Sequence, residues 1–187
     1  MFDETFLTHV RNRDYYCSKP YDTIDYDMYD FTKYLVSHPL TLTDWVNHRK
    51  RVTLRDMHLR SGTPSFAKDI HKALTKTFHK NHITLHGFAG FTSDSESFTV
   101  HRDSMDVLFL NVIGSINWSI WESEDWKDYT IDAITDWSTG VVKFDKVFTP
   151  GDLIWIPRGT WHLIKPHCAR VGFSFGVEGD IEPSTYI

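Results

Sequence analysis

From Ile83 onward the chain breaks into short segments dominated by β-branched and aromatic residues and separated by Gly, Asp, Ser and Pro, and no other feature constrains its fold as much. Segments of that length and composition read as strands. They are placed near 83–90, 97–101, 106–113, 116–121, 141–148, 153–157, 161–165 and 170–177. Both parities of 107–113 are apolar (Val107, Leu108, Phe109, Leu110, Val112, Ile113), which suits a strand covered on both faces. About eight short strands in roughly 95 residues predict a mainly β fold, a double-stranded β-helix of jelly-roll form. The acidic, Trp-containing stretch 122–138 interrupts the series as a long insert, either a loop over the barrel mouth or a plain surface excursion.

Before residue 83 the sequence is helical and loopy. Thr63-Pro64 offers an N-cap followed by proline at the first helical position, and Phe66, Ile70, Ala73, Leu74 and Phe78 then recur at helical spacing. This predicts a helix over about 64–79. A weaker helix begins at Thr41, where Asp44 three residues on resembles a capping box, and it carries Trp45 inward. The length of 187 residues is enough to bury a core and short for two independent ones. The expectation is one domain over 1–187, with an N-terminal helical portion (1–82) packed on a jelly-roll core (83–179). The basic cluster His48, Arg49, Lys50, Arg51, Arg55 and Arg60 reads as a solvated face, with a substrate-docking patch as the alternative.

A net charge of −5 repels a phosphate backbone and anionic lipid alike, which argues against nucleic acid and membrane as partners. No stretch approaches the roughly 20 apolar residues of a spanning helix, and residues 1–13 lack the apolar core of a signal peptide. Cys17 and Cys168 give neither a disulfide framework nor a CxxC pattern, so a soluble cytoplasmic protein is expected. Among the seven Trp, Trp118, Trp121, Trp155 and Trp161 read as barrel packing rather than substrate stacking.

The chemistry is concentrated in two segments. In Phe98-Thr99-Val100-His101-Arg102-Asp103, a strand would project His101 and Asp103, two apart, to the same side. About sixty residues on, Thr149-Pro150-Gly151-Asp152 makes a turn, Leu153 to Ile156 a buried strand, and Pro157-Arg158-Gly159-Thr160 a second tight turn with proline at i+1 and glycine at i+3. The chain doubles back and delivers His162. Two histidines and one carboxylate on one face form the facial triad of non-heme Fe(II) oxygenases, which leaves three of six coordination positions open for co-substrate and dioxygen. Spacing alone leaves zinc open as well. His71 and His79, on the expected helix, read as surface residues. The facing of His86, which opens an early strand, is left undecided, and none of these three is assigned to the metal. No serine-histidine-acid motif, Walker loop or dinucleotide fingerprint is present.

Residues 98–121 and 149–177 resemble the JmjC branch of the cupin-fold 2-oxoglutarate oxygenases, particularly its ribosomal-oxygenase and cupin-like groups. The resemblance covers about half the chain. It is carried by HxDxxDV followed by a strand, a Gly and a Trp (His101, Asp103, Asp106, Val107, Gly114, Trp118), and by PGDxxxIPxGxWH (Pro150, Gly151, Asp152, Ile156, Pro157, Gly159, Trp161, His162). It implies an Fe(II)- and 2-oxoglutarate-dependent dioxygenase, a hydroxylase by preference, with His101, Asp103 and His162 as catalytic metal ligands. It leaves the primary substrate open between a protein side chain, a modified nucleotide and a metabolite.

One position departs from the pattern. Where the family usually carries Lys or Arg for the far carboxylate of 2-oxoglutarate, this chain has Ile116, which cannot supply that ion pair. Arg170, on the strand after His162, is the substitute, because a guanidinium pairs bidentately with a carboxylate and other branches of these oxygenases resemble this in placing an Arg on that strand. A surface role beside Lys165 is its alternative. Lys165 is the second candidate cation, and Asn111 and Thr99 are candidates for added hydrogen bonds. Two rival readings stand beside the dioxygenase: a metal-binding cupin that does not use 2-oxoglutarate, and a protein-interaction module built on an inactive barrel.

Overall fold

The computed structural model describes residues 2–38, 45–46, 51–79, 81–95, 97–121 and 141–181. In chain order these form α1 (Glu4–Arg11), β1 (Tyr16–Ser18), α2 (Met28–Ser37), β2 (Trp45–Val46), β3 (Arg51–Leu54), a 3-10 turn (Met57–Leu59), α3 (Ser65–Thr77), β4 (His82–Gly90), β5 (Asp106–Ile113), β6 (Ile116–Trp121), β7 (Val142–Phe148), β8 (Leu153–Ile156), β9 (His162–Pro166) and β10 (Arg170–Glu178). The strands make two antiparallel sheets, a major one in the order β1-β8-β5-β10-β4-β3-β2 and a minor one in the order β7-β6-β9. The fold is a jelly roll of the cupin kind with N-terminal helices, as its strand spacing predicts.

Each helix is set by a local signal and an apolar stripe. Asp3 accepts from the Phe6 N–H to start α1, and Phe6 and Val10, one turn apart, are buried. Asp27 and Asp30 form a reciprocal capping box on α2, which buries Phe31 and Tyr34. α3 buries Ala67, Ile70 and Leu74, within the predicted range but without the predicted cap. Pro64 itself occupies the cap position, and the Thr63 hydroxyl donates instead to the Met57 carbonyl at 2.6 Å. The helix expected from Thr41 lies mostly outside the described residues, and its described part, Trp45–Val46, is a strand paired with Val52 and Thr53. The insert at 122–138 also lies outside them.

Strand β5 divides the core by parity. Leu108, Leu110 and Val112 face the helices, where they meet Trp155, Phe173 and Phe175, while Val107 and Phe109 face the minor sheet and meet Ile116, Trp118 and Phe148. Both of its faces are covered, as its sequence requires. Trp155 sits between Phe6 and Phe78, and burial of a side chain of this size stabilises the fold by roughly 2–3 kcal/mol. Strand β10 repeats the division with a functional consequence. Val171, Phe173, Phe175 and Val177 fill the helix side, which turns Arg170, Gly172 and Ser174 toward the space between the sheets.

Two further expectations are corrected. Residues 97–101 are not a strand, and only His101 bridges β9, by reciprocal backbone hydrogen bonds with His162. The residues before His101 have other partners: the Ser95 carbonyl accepts from Arg170, and the Arg51 guanidinium lies 3.5 Å from the Phe98 ring centroid. The basic cluster is not a uniformly solvated face either, because Arg51 is buried. His48, Arg49 and Lys50 lie outside the described residues, and Arg55 is exposed. No helix among the described residues is long and apolar enough to cross a membrane.

Candidate metal centre

Three side chains from two separate segments meet at one end of the barrel. One nitrogen or oxygen from each of His101, Asp103 and His162 lies within 4.8 Å of the others, the only such group of His, Cys, Asp and Glu among the described residues. The His101 Nε2 is 3.8 Å from the Asp103 carboxylate and the His162 Nε2 is 3.6 Å from it. The two imidazole centroids are 4.3 Å apart.

The backbone fixes the tautomers. The Nδ1 of His101 contacts the Thr99 carbonyl at 2.7 Å, and the Nδ1 of His162 contacts the Thr160 carbonyl at 2.9 Å. A carbonyl only accepts, so each ring carries its proton on Nδ1 and turns the Nε2 lone pair toward the shared space. Orientation of ligating histidines by a second hydrogen bond is a recurrent property of metal sites. Two imidazoles and one carboxylate that converge in this way are a donor set that could hold a metal ion.

The sequence explains how the three side chains arrive, with one revision. Thr149-Pro150-Gly151-Asp152 is a turn closed by the Asp152 N–H on the Thr149 carbonyl and by the Asp152 carboxylate on the Thr149 N–H and hydroxyl. Gly151 stands at φ +92, and a Cβ there would lie 2.0 Å from the Tyr21 carbonyl oxygen, so only glycine fits. In the second turn the Thr160 N–H donates to the Pro157 carbonyl and Gly159 has φ 77. Proline is therefore at i and glycine at i+2, one step earlier than expected, because the residue with positive φ must be the glycine. The Gly159 N–H donates to the Asp103 carbonyl at 2.9 Å. His101 and Asp103 thus converge through one bridge and one turn contact rather than through a strand pleat.

The three side chains help line a cavity of about 130 Å³, with walls that include Phe88, Phe98, Val107, Phe109 and Trp118. Its polar groups other than the triad are His86, Ser97, Arg170 and Ser174. Arg170 is 5% exposed, which removes the surface alternative, and its Nη1 donates to the Ser95 carbonyl at 2.6 Å. Burial pulls its pKa down to about 10, still protonated at neutral pH. His86 faces the cavity and accepts from the Asp56 N–H at 3.2 Å through Nδ1. The other candidate contacts lie elsewhere. Asn111 is buried, but its amide donates to the Gly114 carbonyl in the β5–β6 turn. Thr99 and Lys165 line a neighbouring hollow outside the cavity. Ile116 is fully buried among Trp118, Phe148 and Ile154.

Sequence reasoning missed Ser97, Phe98 and Ser174 as cavity walls. The shared parity of Arg170, Gly172 and Ser174 is the signal that points to the last of them. His71 is half-buried rather than a surface residue, stacked on His58 at 4.7 Å with its Nε2 donating to the Ile83 carbonyl. His79 is exposed, as expected.

The buried histidines make a pH prediction. His162 has its pKa lowered from 6.5 to about 4, first by burial and then by His101, and burial also lowers His58 and His86. Between pH 6.5 and about 4 the unfolded chain binds a proton that folded His162 refuses, and His58 and His86 act in the same direction. The stability contributed by neutral His162 is present above 6.5 and lost as pH falls, by up to about 1.4 kcal/mol per pH unit. Urea midpoints of metal-free protein should fall steadily from pH 7 to pH 5. A flat profile over that range contradicts the assignment.

The family model of the JmjC domain matches residues 66–182. Comparison with curated proteins gives no match. Among solved structures, one of YcfD, a ribosomal oxygenase from Escherichia coli, aligns with 95% of this chain and 52% of its own at 13% identity and a TM-score of 0.58. A second E. coli ycfD structure aligns with 84% of this chain and 38% of its own at 16% identity and a TM-score of 0.51. These likenesses establish a shared fold. The chain spans about half or less of the length of these proteins.

Proposed function

Given that the chain belongs to the JmjC domain family, we propose that it is an Fe(II)- and 2-oxoglutarate-dependent dioxygenase that hydroxylates its substrate. His101, Asp103 and His162 hold the metal, and Arg170 receives the far carboxylate of the keto acid. The observation that carries this reading is the placement of three convergent ligand atoms beside a small cavity that also contains a buried guanidinium.

When bound, Fe(II) with 2-oxoglutarate and dioxygen supplies the oxidation, in which the keto acid becomes succinate and carbon dioxide and one oxygen atom enters a C–H bond. The protein's own contribution is positional. Thr99 and Thr160 hold both imidazoles in the ligating tautomer through their carbonyls. The aromatic walls keep the cavity poor in water, which strengthens the pull of Arg170 on a carboxylate. Ser97, Ser174 and His86 offer hydrogen bonds to the rest of a dicarboxylate. Free Cys17 and Cys168 suit a reducing cytoplasm.

The test is succinate formation. Purified protein should convert 2-oxoglutarate to succinate in proportion to substrate hydroxylated, or slowly without substrate, only when Fe(II) and dioxygen are both supplied. One observation favours a second reading. Apolar Ile116 fills the place where related oxygenases carry a cation, which fits a metal-binding cupin that takes no keto acid. Tight metal uptake with no change on adding 2-oxoglutarate would select that alternative.

A further inference from the structure

The turn that follows β8 serves two of the three ligands at once. Its Gly159 N–H binds the Asp103 carbonyl, and its Thr160 carbonyl binds the His162 Nδ1. Whatever fixes this turn therefore fixes the separation of two donor atoms. The residue that does so is Asp106, fully buried at the start of β5, whose Oδ1 accepts from the Arg158 N–H at 2.8 Å. The same Oδ1 is 2.8 Å from the Arg13 Nη1. Arg158 is also tied outward, with its Nη2 2.8 Å from the Asp180 carboxylate.

Arg13 comes from a different part of the molecule. It follows α1 directly, and its backbone stands at φ 56, a left-handed conformation that a non-glycine residue adopts only when its surroundings hold it there. α1 is seated by Phe6 and Val10, and Phe6 packs edge-on against Trp155 of β8, the strand that runs into the turn. Burial raises the Asp106 pKa, and the Arg13 guanidinium is the largest opposing influence, ahead of Arg158, so Arg13 favours the ionised acceptor. Residue 13 lies outside the 66–182 span that matches the JmjC domain model.

We propose that Arg13 and Asp106 are a positioning pair for the metal centre: the N-terminal arm clamps the Pro157–Thr160 turn and through it holds Asp103 and His162 in ligating geometry. This rests on the metal reading above, although the clamp on the turn is a property of the protein without metal.

The experiment uses the full chain with two readouts, the dissociation constant for Co(II) and the hydrogen-exchange rate of residues 157–163 in metal-free protein. Arg13→Ala should weaken Co(II) binding about 10- to 100-fold, the usual cost of losing an outer-sphere partner, and should accelerate exchange in 157–163. Arg13→Lys keeps the charge without the fork and should fall between. Asp106→Asn keeps an acceptor for the Arg158 N–H and should perturb exchange less than Asp106→Ala. Leu74→Ala, on α3, controls for general destabilisation: it should lower Tm and leave the Co(II) constant at the wild-type value. The proposal is overturned if Arg13→Ala matches wild type in both readouts, or if Leu74→Ala reproduces its effects. Should wild type itself take up no Co(II), the metal reading falls, and the clamp is then decided by whether Arg13→Ala alone accelerates exchange.

Discussion

If the proposed metal centre is right, His162→Ala should abolish tight metal binding and, with it, iron-dependent succinate formation. His162 is 3% exposed and oriented by the Thr160 carbonyl, and among the described residues only His101, Asp103 and His162 form a group of three close enough to hold a metal. Loss of outer-sphere partners costs about 10- to 100-fold in affinity, and loss of an inner ligand should exceed the upper end of that range. Titration with Fe(II) or Co(II) under nitrogen measures it. The substitution also tests the electrostatics, because it removes the most strongly depressed histidine. The acid-side loss of stability should become shallower between pH 6.5 and about 4, while stability near neutrality falls by the packing lost against Trp118, whose ring centroid is 5.4 Å away. Unchanged affinity in this variant would remove the metal centre from the account.

Arg170→Ala separates the dioxygenase from its rival. Truncating one partner of a buried charge pair costs about 2–5 kcal/mol, which corresponds to roughly 30- to 4,000-fold in affinity for 2-oxoglutarate. Metal binding should stay within a few-fold of wild type, because Arg170 is not among the three ligands. Arg170→Lys should recover part of the affinity, since an ammonium keeps the charge and loses the bidentate geometry. The competing outcome is equally distinct. If Arg170 serves only to tie the 91–98 segment through the Ser95 carbonyl, the substitution lowers Tm and leaves any keto-acid effect at its wild-type level.

How much was legible in the sequence varies with the range of the interaction. β5 was readable because its two apolar parities have a single structural meaning, and the Thr149–Asp152 turn because Pro-Gly-Asp combines a fixed φ, a positive φ and a local acceptor. The cap of α3 was misread for the opposite reason: the Thr63 hydroxyl finds a nearer acceptor in Met57, outside the local window. β1, β2 and β3 carry too few residues to show a period. Segment 97–101 has strand composition, yet only His101 pairs with β9, while Phe98 packs under the Arg51 guanidinium, a contact from far along the chain that no window of neighbouring residues contains.

The sequence by itself determined the jelly-roll class and the two segments that bear His101, Asp103 and His162, because each follows from spacing along one stretch of backbone. Only the tertiary structure decided that His162 reaches Asp103, that Thr99 and Lys165 stand outside the cavity while Arg170 stands within it, and that Arg13 meets Asp106. Those are contacts between residues far apart in the chain. Their geometry is set by how two sheets and an N-terminal arm close on a shared core, and that closure depends on all the packed faces together.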